Sequence, residues 1–177
     1  NNFKEADKLR LANKSIFTSE VNLFLEALVL SSIGKLEQSI KLYEKSIELN
    51  KNYLISYLKI ADIYDSLKNL TKSEEYLKKA LLVKNDSDII YNSLGYNLYK
   101  QNKLDESIVS LKIAIRINNK NYKSFFNLAN SFFKKKQYQD AIIYYKKTIE
   151  VNKNCPEVYF HLAETYKINS SIDLAIH

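Results

Sequence analysis

Apolar side chains recur along this chain with two nested periods. Locally they step by three and four. Phe125, Leu128, Ala129 and Phe132 form one set, and Ala141, Ile142, Tyr145, Thr148, Ile149 and Val151 form the next. Such steps place each set on one face of an amphipathic helix. Lys134-Lys135-Lys136-Gln137 interrupts the two sets, at the point where Gly34 stands earlier in the chain, so the pattern predicts helix, turn, helix. On the longer scale the whole pattern returns every 34 residues, as Tyr57, Tyr91, Phe125 and Tyr159 show. Three residues on stand Ile60, Leu94, Leu128 and Leu162, followed by Ala61, Gly95, Ala129 and Ala163, and then by Tyr64, Leu98, Phe132 and Tyr166. A fixed period of this size predicts stacked helix pairs.

The period divides the chain into repeats at 20–53, 54–87, 88–121 and 122–155, with a partial repeat at 156–177. Residues 1–19, with Asn2-Phe3-Lys4-Glu5-Ala6 near their start, look like the second helix of a truncated preceding repeat, and the whole reads as one solenoid domain. The chain starts at Asn1 and stops at His177 in mid-pattern, so it is expected to be a piece of a longer protein.

Small residues form their own columns. Ala27, Ala61, Gly95, Ala129 and Ala163 make one; Ser39, Ser73, Ser107, Ala141 and Ala175 a second; Ser46, Ala80, Ala114 and Thr148 a third. They predict close helix approach, with the large residues filling the intervening grooves. Gly95→Leu is therefore expected to overpack its site at a cost of about 1–3 kcal/mol. Thr71-x-x-Glu74 has capping-box form and predicts the start of a second helix. The recurring tyrosines Tyr43, Tyr57, Tyr64, Tyr91, Tyr145, Tyr159 and Tyr166 fall in core columns and are expected to be packing residues.

Composition narrows the function classes. Two glycines and one proline in 177 residues favour helices throughout. No run approaches the roughly 20 apolar residues a membrane span needs. One cysteine excludes an intrachain disulfide framework, and with two histidines it offers no metal-ligand cluster, so no cofactor is expected and a cytoplasmic location is. The net charge of +7 invites a nucleic-acid reading, but the surplus is local. Residues 122–155 carry seven lysines against Asp140 and Glu150, whereas residues 156–177 carry Glu157, Glu164 and Asp173 against Lys167. A nucleic-acid footprint is expected to be a continuous basic stripe, which counts against that class. No phosphate-binding glycine loop or nucleophile–base constellation is present, and His161 has no Ser, Cys and acid around it in a motif, so the segment is not expected to be an enzyme.

Tyr91-x2-Leu94-Gly95-x2-Leu98…Ser107-x3-Leu111 and Phe125-x2-Leu128-Ala129-x2-Phe132…Ala141-x3-Tyr145 resemble the signature of the tetratricopeptide repeat (TPR) family, whose period is also 34. The resemblance covers nearly the whole chain. It departs from the pattern where Lys51, Asn85, Asn119 and Lys153 replace the usual late proline, and where Glu26 stands in the column of Ile60, Leu94, Leu128 and Leu162, implying a local distortion or an exposed end.

The resemblance implies an all-α fold, a right-handed superhelical solenoid of antiparallel helix pairs with a concave groove lined by first helices. Projecting the family's inner positions onto this chain gives Phe24, Leu28, Ile55, Leu58, Lys59 and Asp62, then Asn92, Tyr96 and Tyr99. Lys123, Phe126, Asn127, Asn130 and Phe133 follow, and Phe160, His161 and Glu164 come last. Rings among amides suit a peptide, because rings supply rigid contact area and amides bond its backbone. Two specific family functions do not fit. A carboxylate clamp for chaperone tails would match Asn127, but Asn92, Tyr96, Glu157 and His161 stand where it needs other residues. One repeat back, Lys123 fits while Leu58, Asp62, Ser93 and Asn127 do not. The asparagine ladder of sugar transferases meets Leu25, Lys59, Ser93, Asn127 and His161, of which only Asn127 belongs.

The resemblance thus implies a non-catalytic scaffold that binds a protein or peptide, with self-association through terminal repeats as a further contact. The alternatives are a substrate-presenting arm of a larger enzyme, such as a glycosyltransferase, and a nucleic-acid module.

Overall fold

The computed structural model describes residues 18–176, with side chains as far as Ser170. The second helix expected within residues 1–19 falls almost wholly outside this range. Among the described residues there are nine α-helices: α1 (Ser19–Ser32), α2 (Leu36–Leu49), α3 (Leu54–Ser66), α4 (Leu70–Val83), α5 (Asp88–Lys100), α6 (Leu104–Ile117), α7 (Tyr122–Lys134), α8 (Tyr138–Val151) and α9 (Pro156–Ile176). The first eight pack as sequential antiparallel pairs, so the fold class is the expected all-α one. The chain, expected as one solenoid, divides into two compact units between Asn85 and Asp86.

Each pair is closed by the same turn. The middle residue is left-handed in all four, at Gly34 (φ 80°), Lys68 (62°), Asn102 (64°) and Lys136 (63°). The next amide reaches back to a carbonyl five residues earlier, as in Lys35 N–H to Leu30 O (2.9 Å) and Gln137 N–H to Phe132 O (2.9 Å). This is a Schellman closure, which satisfies carbonyls the helix end would otherwise orphan. The helix α4 begins at Leu70, and its cap is Asn69, whose side chain accepts from Lys72 N–H. The Thr71-x-x-Glu74 pattern therefore lies inside the helix. A polar side chain one position before the helix was the stronger cap signal.

In the first compact unit Phe24, Ala27, Ile40, Tyr43, Ile60 and Ile63 form a core. Ser39 Oγ donates to Ala27 O across the pair (2.8 Å), so the small-residue columns bring backbone within hydrogen-bond reach of the facing helix. Glu26 sits half-buried in an unbroken α1. Asn50 replaces proline chemistry with its own: its Oδ1 accepts from Asn52 N–H (3.0 Å), and its Nδ2 donates to Glu20 at the start of α1 (3.3 Å).

In the second unit Ile108, Leu111, Leu128, Ala129, Phe132, Ala141, Tyr145 and Val158 form the core. Ser107 Oγ donates to Gly95 O (2.7 Å). A Cβ on Gly95 would stand 2.5 Å from Leu111 Cγ, which is why this place needs the smallest residue of its column. Asn118 and Asn152 repeat the Asn50 turn, accepting from Lys120 N–H and Asn154 N–H (3.0 Å each).

The last repeat departs from the plan. The helix α9 runs straight through Ser170, the place where the other repeats turn. Elsewhere a left-handed turn residue is offset by a fourteen-residue second helix packing back on its partner. The tyrosines expected in the core split. Tyr43 and Tyr145 are fully buried and Tyr57 nearly so, whereas Tyr159 and Tyr166 are 47% and 41% exposed. Ala163 is exposed as well.

Candidate functional site

In the second unit the first helices α5, α7 and α9 lie side by side and present the residues expected to form a groove. Their order follows helical spacing: Asn92, Tyr96 and Tyr99 on α5, then Lys123, Phe126, Asn127 and Asn130 on α7, then Phe160, His161 and Glu164 on α9. The structure ties α5 to α7 through amides. Asn92 Oδ1 accepts from Asn127 Nδ2 (3.0 Å) and from Ser124 Oγ (3.2 Å). It ties α7 to α9 through rings. The His161 ring lies 5.6 Å from Phe126 and 5.7 Å from Phe160.

Tyr145, from the second helix α8, is the hub beneath these groups. Its hydroxyl donates to Asn130 Oδ1 (2.7 Å), and its ring stacks on His161 (6.0 Å, 9°) and tilts against Phe126 (6.0 Å). Burial raises its phenol well above the ordinary value, and the charges of Tyr99 and Glu164 add to the rise. Three residues expected in the groove, Phe126, Asn130 and His161, thus converge on one buried side chain. Its column places Tyr145 in the core but does not disclose this role, because a column shows that a residue is inward and not where its polar tip ends.

Exposure varies across the face. Phe160 is 69% and Tyr96 44% exposed, while Tyr99, Phe126, His161 and the three asparagines are intermediate. Lys123 is exposed one turn before Phe126. Phe133 leaves the group, packing edge-on against Tyr138 (5.6 Å) at the start of α8. Tyr96 and Tyr99 stack on one another (6.3 Å, 15°), with Lys100 4.8 Å above the Tyr96 ring and Lys134 4.7 Å above the Tyr99 ring. Lys134 Nζ also donates to Tyr99 O (3.1 Å), and Lys135 pairs with Asp105. The lysine run at the turn is exposed, yet two of its members are anchored. Burial raises the Tyr99 phenol, helped by Tyr96.

Lys59 and Asp62 lie on α3 in the first compact unit, together with Ile55 and Leu58. Asp62 is exposed; partial burial raises its carboxyl, the Lys59 charge opposes the rise, and Asp65 adds to it. Phe24 does not belong to the face. It is only 9% exposed, enclosed by Tyr43 (5.4 Å) and Tyr53 (5.6 Å). Its equivalent, Phe126, stays half-open because the small Cys155 stands where Tyr53 stands in the first repeat, a difference visible in the columns themselves.

Among the described residues no group of three or more His, Cys, Asp or Glu side chains could hold a metal ion, and no helix is long and apolar enough to cross a membrane. A depression of about 510 Å³, lined by Lys136, Gln137, Tyr138, Gln139, Asp140 and Asn169, shares no residue with the face described above.

The helix pairs resemble solved structures. MamA is 20% identical, with 89% of this chain and 86% of that one covered and a TM-score of 0.79. YrrB, described as a TPR protein with an unusual peptide-binding site, is 18% identical over 93% of this chain and 85% of its own, with a TM-score of 0.74. PilF of Pseudomonas aeruginosa is 21% identical over 95% and 72%, with a TM-score of 0.73. At these identities the likeness shows the fold. No curated protein matches the chain in sequence. Models of the tetratricopeptide repeat match residues 22–53 and 54–87 and residues 122–155, and a TPR repeat model matches 95–136. With repeats matched along most of its length, the chain belongs to the tetratricopeptide repeat family of protein-interaction modules.

Proposed function

We propose that the face of α5, α7 and α9 is a non-catalytic groove that captures a peptide or helical segment of a partner protein. The observation that carries this reading is the convergence on Tyr145. Half-exposed rings and amides are held in place from beneath by a fully buried side chain, so they meet a ligand pre-ordered. Ordering them beforehand lowers the entropy cost of binding. The Asn92–Asn127 pair adds backbone chemistry: with one bond between them, the pair still has an N–H donor on Asn92 and a carbonyl acceptor on Asn127. A peptide bond needs one of each. The fold's likeness to YrrB, described as carrying a peptide-binding site, is consistent with this use of the face.

The test replaces Tyr96 and Phe126 with alanine and measures binding to a partner recovered by pull-down from the source cell. Loss of about a hundredfold or more in affinity is expected, since anchoring aromatics commonly contribute about 2 kcal/mol each. Unchanged affinity in a variant with native far-UV dichroism would remove the groove assignment.

A further inference from the structure

The outer side of the second helices carries the same aromatic stack in both units, with different charges around it. In the first unit Tyr64 and Tyr76 stack (5.8 Å, 26°), and the Tyr76 hydroxyl donates to Glu44 Oε1 on α2 (2.7 Å). Lys79, 4.6 Å above the Tyr76 ring, pairs with Glu75 (2.6 Å). The hydroxyl and the ammonium are each met by a carboxylate of the same chain. Two repeats on, Phe132 and Tyr144 rebuild the stack (5.4 Å, 12°), with Lys147 5.3 Å above the Tyr144 ring. The carboxylates are gone. Lys112 stands in the column of Glu44, Arg116 in that of Glu48 and Ile143 in that of Glu75. Lys112 Nζ lies 5.7 Å from the Phe132 ring, so it joins Lys147 at the same stack. Among the described residues none of Lys112, Arg116 and Lys147 makes an ion pair, and the Tyr144 hydroxyl makes no hydrogen bond.

Apolar side chains complete the difference. Val109 (59% exposed) replaces Lys41, and Ile143 is 49% exposed where Glu75 stood. These columns stay exposed where further helices follow. Val109 and Lys112 are exposed on α6 ahead of α7 and α8, and Lys45, in the column of Lys147, is exposed on α2 ahead of α3 and α4. The acids of α6 and α8 lie away from the cations along each helix: Asp105, paired with Lys135, Glu106 and Asp140 in the first turns, and Glu150 one turn beyond Lys147.

We propose that the outer face of α6 and α8 is a second docking surface, separate from the groove, for an amphipathic acidic segment of a partner protein. Its carboxylates take the seats that Glu44 and Glu75 fill in the first unit, accepting from Lys112, Arg116, Lys147 and the Tyr144 hydroxyl. Its apolar side chains cover Val109 and Ile143. The first unit shows which chemistry completes this arrangement, because there the same stack is closed by carboxylates of the chain itself. Bonds from ammonium or guanidinium to carboxylate are charge-assisted, and ammonium groups already resting on rings are partly ordered before a ligand arrives. A sugar–phosphate backbone would supply anions but nothing to bury Val109 and Ile143, whose removal from water favours a protein segment.

The probe is a display library of random dodecapeptides, selected on the full chain and counter-selected on the variant Lys112→Glu, Ile143→Glu, which puts back the acids of the first unit. Peptides that survive are expected to combine two or more Asp or Glu with large apolar residues. By fluorescence anisotropy the best of them should bind that variant about tenfold more weakly than the parent, with native far-UV dichroism retained. The milder variant Lys112→Gln, Arg116→Gln, at two exposed positions, should weaken it about threefold and keeps the test open if the first variant fails to fold. A counter-selection that leaves no peptide, or only peptides without acids, overturns the proposal. So does a peptide that binds the glutamine variant as it binds the parent. Survivors lost on Phe126→Ala would lie in the groove, which removes the second surface and leaves the groove reading standing. Oligothymidylate bound as tightly as the peptide, and released by the same variants, would overturn the protein-segment assignment in favour of a general polyanion seat.

Discussion

Phe24 and Phe126 hold the same place three repeats apart, and so do the tyrosines beneath them, Tyr43 and Tyr145. In the first repeat Tyr53 closes over Phe24, and the ring becomes core. In the fourth, Cys155 replaces Tyr53, and Phe126 remains open beside His161. The tyrosines diverge as well. Tyr145 finds Asn130 for its hydroxyl, while the equivalent of Asn130 in the first repeat is Leu28, and the buried Tyr43 hydroxyl has no hydrogen-bond partner. One backbone plan thus yields a sealed core in one place and a prepared surface in another. The choice is made by two side chains at the rim.

The largest expected difference is in stability. Phe24→Ala should cost about 3–5 kcal/mol, as for a buried ring that leaves a cavity. Phe126→Ala should cost only about 1–2 kcal/mol, because its ring is only partly buried at the edge of the core. Urea denaturation followed by far-UV dichroism measures both, and equal losses would break the comparison.

The tyrosine hydroxyls give a smaller contrast. Tyr145→Phe is expected to destabilise by about 1 kcal/mol by removing the donor to Asn130. Tyr43→Phe should be neutral or slightly stabilising, since it deletes a buried hydroxyl without a partner. A loss at Tyr43 as large as that at Tyr145 would show that both hydroxyls are bonded.

The least effect is expected in alkali, and it vanishes at neutral pH. Burial pushes the Tyr43 phenol from 10.0 up to about 12, and the Asp62 charge adds to the shift. A phenol raised in the folded state contributes stability that is whole below pH 10 and is lost as pH rises toward 12. Denaturation midpoints should therefore fall across that window, and Tyr43→Phe should lessen the fall. A variant that declines as steeply as the parent would place the titration elsewhere, with Tyr145 the first alternative.

Much of this was legible in the sequence. The 34-residue period and its small-residue columns located the helix pairs and the close approach at Gly95, because side chains that must meet a facing helix repeat with the backbone that carries them. The helix start was misread at Thr71, since two polar residues competed for one cap and only the backbone dihedrals decide between them. The groove residues came from a family projection that treats every repeat alike. It therefore included Phe24, which Tyr53 seals, and Phe133, which turns to Tyr138. It also passed over Lys100, which folds back over Tyr96 of its own helix, and Lys134, whose long side chain reaches Tyr99 on the neighbouring first helix.

By itself the sequence determined the all-α class, the helix pairs and their turns, and the family, since these depend on periodicity and on residues close along the chain. Only the tertiary structure decided which aromatics are core and which are surface. That outcome depends on whether a second helix or a neighbouring ring arrives to cover them. Tyr159 and Tyr166 have the pattern of core residues and lie exposed. Only the tertiary structure, too, brought Phe126, Asn130 and His161 around the buried Tyr145, because they come from separate turns of two helices and meet only when the helices pack.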